Sequence, residues 1–124
     1  MYELTVERVF SAAHAIMIHG SQEPVHGHNW HVRLVVSGDR LNDDGLLCDC
    51  HLLERELDRV IGAFNNRHLN EVPPFDRVNP TAEHVARHIA DAVQPHLPKS
   101  VRLERVSVTE APGCVATWVQ RSQI

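Results

Sequence analysis

Apolar and polar residues alternate from Tyr2 onward, with Tyr2, Leu4 and Val6 on one side, and this period of two predicts a strand over residues 2–14. The rhythm falters at Arg8 and Val9, which predicts a β-bulge there. A second strand is predicted from His28 to Gly38: Trp30, Val32, Leu34 and Val36 share one face, and Asn29, His31, Arg33 and Ser37 the other. Between the two, AIMIHGSQEPV is irregular and punctuated by Gly and Pro, so it reads as a long loop without an element. LNDDG is a turn cluster, and LLCDC a short extended piece leading into a helix from about His51, with Leu53, Leu57, Val60, Ile61 and Phe64 at helical spacing. Asp49 is the expected cap of that helix. A second helix is expected to begin at NPTAE, with Asn79 as cap, Pro80 at the first helical position and Val85, Ile89 and Val93 as its buried stripe; QPHLP ends it. RLERVSVTE and CVATWVQR then read as two strands joined by Ala-Pro-Gly.

The resulting order, β-β-α-α-β-β, predicts one α+β domain over residues 1–124: a four-stranded antiparallel sheet with both helices packed on one face. Such an open sheet has edges to protect, and pairing of edges between copies into a ring is one solution.

Composition narrows the classes of function. At 43% apolar and 23% charged residues the chain is that of an ordinary globular domain, and no apolar run approaches the roughly 20 residues of a membrane span. The opening MYELTVERVF lacks a basic segment followed by an apolar one, so a cytoplasmic location is expected. A net charge of -4 without a Lys/Arg cluster argues against nucleic acid as partner. Cys48, Cys50 and Cys114 are an odd number of cysteines, two of them one residue apart, and read as reduced thiols.

The chain has 10 histidines, and spacing singles out a few of them. His26 and His28 are two apart at the start of the second strand, so an extended backbone points both imidazoles to the same side. His14, at the end of the first strand, joins them if the two strands are neighbours. Three imidazoles with an open fourth position are a zinc-binding arrangement. His31 has the opposite parity, whereas His51, His68, His84, His88 and His96 are most simply helix-surface or loop residues. Cys48 and Cys50 share a side but make a poor zinc-ligand set with Cys114 distant in sequence. Glu110 offers two acceptor oxygens near a strand end, a shape suited to two parallel donors on a flat heterocycle.

Four segments in order, FSAAH at 10–14, HGHNW at 26–30, NPTAEHVA at 79–86 and VTEAPGC at 108–114, resemble the 6-pyruvoyltetrahydropterin synthase and 6-carboxytetrahydropterin synthase family across nearly the whole chain. The resemblance implies the tunnelling fold, in which subunits pair sheet edges into a trimeric barrel and two trimers stack into a homohexamer. It implies Zn2+ on His14, His26 and His28, a pterin held by Glu110, and Thr81 and Glu83 near that pocket. The implied activity is a lyase acting on the side chain of a dihydropterin such as dihydroneopterin triphosphate, in queuosine, folate or biopterin synthesis.

Two departures from the family pattern bear on the chemistry. The loop before His26 has no cysteine base and carries Glu23, which looks like the glutamate variant associated with forming 6-hydroxymethyl-dihydropterin. The family's Asp-His pair falls on Asn65 and Asn66, neither of which accepts a proton at working pH. Glu23 is therefore the expected general base and His68 the candidate substitute for the missing histidine, while loss of catalysis with retention of zinc and pterin binding is the rival expectation.

Overall fold

A computed structural model describes residues 1–121 of the chain. It is an α+β fold built on two long strands, β1 (Tyr2–His14) and β4 (His26–Gly38), which pair antiparallel along their full length. Two short strands, β2 (Met17–Ile18) and β3 (Ser21–Gln22), form a hairpin between them. Helix α1 (Cys50–Ile61), a short strand β5 (Arg67–His68) and helix α2 (Ala82–Val93) follow, then β6 (Arg102–Ala111) and β7 (Cys114–Val119). The main sheet has the order β5-β1-β4-β6-β7. Its four principal strands are antiparallel as expected; β5 adds a fifth, parallel to β1 at Ala12 and Ala13. No helix among the described residues is long and apolar enough to cross a membrane.

Both helices cover the same sheet face. Leu53, Leu57 and Val60 of α1, and Val85, Ile89 and Val93 of α2, are buried against Val6, Phe10, Trp30, Val32 and Leu34. Each such side chain contributes about 1.5–3 kcal/mol by leaving water, so the apolar stripes fix which side of each strand faces inward. Phe64, predicted as the last residue of the first helical stripe, is buried in the turn just beyond α1.

Three local expectations are corrected. No bulge interrupts β1: its register with β4 runs unbroken from Tyr2↔Gly38 to His14↔His26. Arg8 stays on the helix side because α1 meets it with carboxylates, Asp58 Oδ1 and Glu54 Oε2, each at 2.8 Å. A register shift lies instead between Val35 and Val36, where β4 pairs with β6.

The loop read as structureless contains the β2–β3 hairpin. Its turn residues His19 and Gly20 both have positive φ, 52° and 80°, as a tight hairpin turn requires. Strands of two residues are too short to show a period, so only the His-Gly dipeptide carried the signal.

The second helix begins at Ala82 and is capped by Thr81, whose Oγ1 accepts from the His84 N–H at 3.1 Å. Pro80 therefore precedes the helix. Asn79 is not the cap because its side chain is bonded to the backbone of Met17. Asp49 does cap α1, accepting from the His51 N–H at 2.9 Å.

Candidate metal centre and active site

The β1–β4 register places His14 opposite His26 and Ala12 opposite His28, and the two-residue period turns all three imidazoles to the helix face. Each ring has its Nδ1 directed at a backbone carbonyl: His14 at Pro80 O (2.8 Å), His26 at Pro24 O (3.2 Å) and His28 at Asn29 O (3.1 Å). A carbonyl only accepts, so Nδ1 carries the proton and every Nε2 presents a lone pair. The lone pairs converge. His14 Nε2 and His26 Nε2 are 3.1 Å apart, and His28 Nε2 is buried with no hydrogen-bond partner.

Two facing lone pairs repel unless something positive lies between them. A tetrahedral ion with bonds of 2.0–2.1 Å sets its ligand nitrogens about 3.3 Å apart, and the three ring nitrogens lie within 4.8 Å of one another. The residues therefore fit a zinc ion, and three backbone carbonyls hold the ring orientations that such an ion requires.

Trp30, fully buried, forms the floor: its ring stacks on His28 at 4.3 Å and meets His14 edge-on at 4.7 Å. His14 is also fully buried. Burial pushes its pKa below the usual imidazole value, against the upward pull of the Pro80 carbonyl and the Glu110 carboxylate, which favours the neutral, ligating form. Glu110 Oε1 lies 3.9 Å from His14 Nε2. The β6–β7 register shifts between Thr109 and Ala111, so Glu110 sits at an irregularity that turns it towards the histidines.

Glu23 is half-buried, with Oε1 accepting from the Ile16 N–H at 3.2 Å and lying 3.6 Å from His26 Nδ1. It thus meets the nitrogen of His26 opposite the one that faces His14. His14, His26, His28, Glu23 and Glu110 are brought together; the remaining candidates are spread around them. Thr81 is half-buried and its hydroxyl is engaged as the α2 cap, while Glu83 is exposed in the first turn of that helix. His68 lies on β5 opposite Ala13, with its Nδ1 buried and without a hydrogen-bond partner. Asn65 and Asn66 hold the backbone of Ser11, by Asn65 Oδ1 accepting at 3.1 Å and the Asn66 N–H donating at 2.6 Å.

Three contributors were missed by sequence reasoning: the Pro80 carbonyl, and Asn70 and Asn79, which bind the backbone of Ala15 and Met17. A carbonyl leaves no mark in a sequence. Asn79 did stand out, and was read as a helix cap because the nearby Thr81 offered the same chemistry.

With this geometry in place, the comparisons are specific. The family model described as 6-pyruvoyl tetrahydropterin synthase matches residues 3–121, and the chain belongs to that family. It is 34% identical over 101 residues, 82% of each chain, to the dihydroneopterin monophosphate aldolase of Pyrococcus furiosus. It is 33% identical over 127 aligned positions, 98% of this chain and 80% of the relative, to the 6-carboxy-5,6,7,8-tetrahydropterin synthase of Bacillus subtilis. Among solved structures, the 6-pyruvoyl tetrahydropterin synthase of Caenorhabditis elegans superimposes with a TM-score of 0.81, covering 98% of both chains at 24% identity.

Proposed function

We propose that this protein is a zinc-dependent lyase that cleaves the side chain of a dihydroneopterin phosphate, leaving 6-hydroxymethyl-dihydropterin. One observation carries the reading: three Nε2 lone pairs converge with Glu110 3.9 Å from His14 Nε2, and Glu23 stands at the other side of the His26 ring, 3.6 Å from its Nδ1. An ion held by His14, His26 and His28 would act as a Lewis acid on the side-chain hydroxyls of the substrate.

The protein's own residues do the rest. Glu110 accepts from the amino and ring nitrogens of the pterin and fixes the flat ring. Glu23 is the general base that takes the proton from the second side-chain hydroxyl. A carbonyl forms at that carbon, the bond between the first and second side-chain carbons breaks, and its electron pair passes into the pterin ring. Return of the proton to the first carbon gives the hydroxymethyl product, and the remaining two carbons leave as glycolaldehyde phosphate. Glutamate in place of a cysteine, together with the similarity to an enzyme named as an aldolase, favours this cleavage over the other reactions of the family. His68 pairs with Ala13, whose side chain faces away from that of His14, so it takes no part in this proton path.

We further infer assembly into a homohexamer, two stacked trimeric barrels. The outer strand β7 leaves one edge open and exposes Val115 and Val119, a surface that edge pairing between copies would cover. A cytoplasmic location accords with the three free thiols.

Incubation of zinc-loaded protein with dihydroneopterin monophosphate and triphosphate, followed by chromatography of the products, tests the reading. The hydroxymethyl pterin is expected from the parent and not from Glu23→Ala. No turnover by either removes it. A second reading, a zinc and pterin binder without catalysis, is favoured by the engagement of Asn65 and Asn66 with Ser11, which gives the positions of the lost Asp-His pair a purely architectural duty. Tight pterin binding that Glu110→Ala abolishes, without turnover, selects it.

A further inference from the structure

Three consecutive residues after β1 are held through their backbones by side chains. Asn70 grips Ala15 twice: the Ala15 N–H donates to Asn70 Oδ1 at 2.9 Å, and Asn70 Nδ2 donates to the Ala15 carbonyl at 2.8 Å. Asn79 grips Met17 in the same way, at 2.8 and 2.9 Å. Between them Ile16 turns to Glu23. Its N–H donates to the Glu23 carboxylate at 3.2 Å, and its carbonyl accepts from the Glu23 N–H at 3.0 Å. An amide side chain presents a donor and an acceptor side by side, so each asparagine satisfies its residue as a neighbouring strand would.

Beyond Ala15, which is buried, little apolar packing holds this segment in place. The β2–β3 hairpin has two residues per strand, and an isolated hairpin is marginal in water even when longer. Met17 and Ile18 are about half exposed, so apolar burial contributes only in part. The clamp is also continuous with the histidine centre, because Pro80, next to Asn79, supplies the carbonyl that orients His14.

We propose that Asn70 and Asn79 are positioning residues: by fixing Ala15 and Met17 they hold the Ile16 N–H where it docks the Glu23 carboxylate, and so set the base against His26. This deepens, and rests on, the reading of Glu23 as base. The side-chain amides of both asparagines are spent on the backbone of Ala15 and Met17, so they act through Ile16.

The test uses Asn79→Ala and Asn70→Ala, with Asn42→Ala as control. Asn42 makes the same type of bond in a remote turn, accepting from the Asp44 and Leu46 N–H groups at 2.9 and 3.0 Å. With zinc-loaded protein and dihydroneopterin monophosphate, Asn79→Ala and Asn70→Ala are expected to lower kcat about 10- to 100-fold with KM changed less than about twofold. Asn42→Ala should leave both unchanged. Asn79→Asp keeps the acceptor for the Met17 N–H and loses the donor, so its kcat should fall between parent and alanine variant. Equal kcat in Asn79→Ala and Asn42→Ala would mean the asparagine is merely structural, and overturns the proposal.

Hydrogen exchange separates this inference from the reaction itself. The Ile16 amide should exchange at least about tenfold faster in Asn79→Ala and in Glu23→Ala, and at the parental rate in Asn42→Ala. Unchanged protection of Ile16 in Asn79→Ala overturns the clamp whether or not substrate is turned over. A parent with no turnover removes the lyase reading alone, and the exchange rates then decide the clamp.

Discussion

The two ends of the β1–β4 ribbon, about 40 Å apart at 3.3 Å per residue, both gather potential metal ligands, and only one end leaves them free. At the Tyr2 end, Asp49, Cys50 and His51 lie close enough together to hold an ion, beside a cavity of about 500 Å3 lined by Leu4, Leu46 and Leu47. Two of these three groups have other duties. The Asp49 carboxylate caps α1, and His51 Nδ1 is bonded to Glu54 at 2.8 Å. Burial pushes the neighbouring Cys48 thiol up, so it stays protonated. At the His14 end every Nδ1 is satisfied by a carbonyl and every Nε2 is left as an acceptor facing the others. Cavity volume and ligand proximity are shared by many surfaces. What distinguishes a site is a set of convergent groups whose other hydrogen bonds are already made.

The comparison is broken most severely by metal analysis. Protein purified without added metal should carry about one zinc per chain, and His28→Ala should carry almost none, whereas Cys50→Ala should retain it all. Equal zinc in His28→Ala and parent would erase the difference between the two ends. Next in size, Glu23→Gln should lower kcat by about 10²–10⁴ with zinc retained, as steady-state kinetics with metal content measured on the same sample would reveal. Glu110→Ala should weaken pterin binding by about 1.5–3 kcal/mol, the range for a hydrogen bond to a charged group, measurable by titration calorimetry. At the far end, Asp49→Ala should cost about 1 kcal/mol of stability through loss of a helix cap, seen in denaturant unfolding, with zinc content and kcat unaltered.

The smallest effect concerns pH. His88 is half-buried against Phe64 and Phe75, and desolvation lowers its pKa, with Asp91 opposing more weakly. The folded chain therefore binds this proton less readily than the unfolded one. Its contribution to stability is complete above about pH 6.5, the unfolded value, and is lost as pH falls from there towards the lower folded value. His88→Gln should flatten the stability profile in that window; an unchanged slope would assign it to other groups.

Much of the site was legible because it lies on regular strands. Alternation at Trp30, Val32, Leu34 and Val36 fixes which side of β4 faces the core, and the same parity places His26 and His28 beside them. Once β1 is its neighbour, His14 has only one side to face. The absence of a bulge at Arg8 was not legible, because the carboxylates that keep Arg8 in register come from α1, some fifty residues away. His88, assigned to the surface by default, is half-buried because Phe64 and Phe75 come from separate turns to meet it.

By itself, then, the sequence determined the order of the four long strands and two α-helices, the inward face of the first two strands and the residue types of a three-histidine centre, since these follow from periods of two and 3.6 within continuous segments. Tertiary structure alone decided which nitrogen of each ring faces the centre, that Thr81 rather than Asn79 caps α2, and that Asn70 and Asn79 serve the loop bearing Glu23. The reason is that a hydrogen bond goes to whichever partner folding brings within about 3 Å. For His14, Ala15 and Met17 that partner lies more than fifty residues away; for His26 and His28 it is a carbonyl one or two residues off, which only the rotation of the ring in the folded site selects.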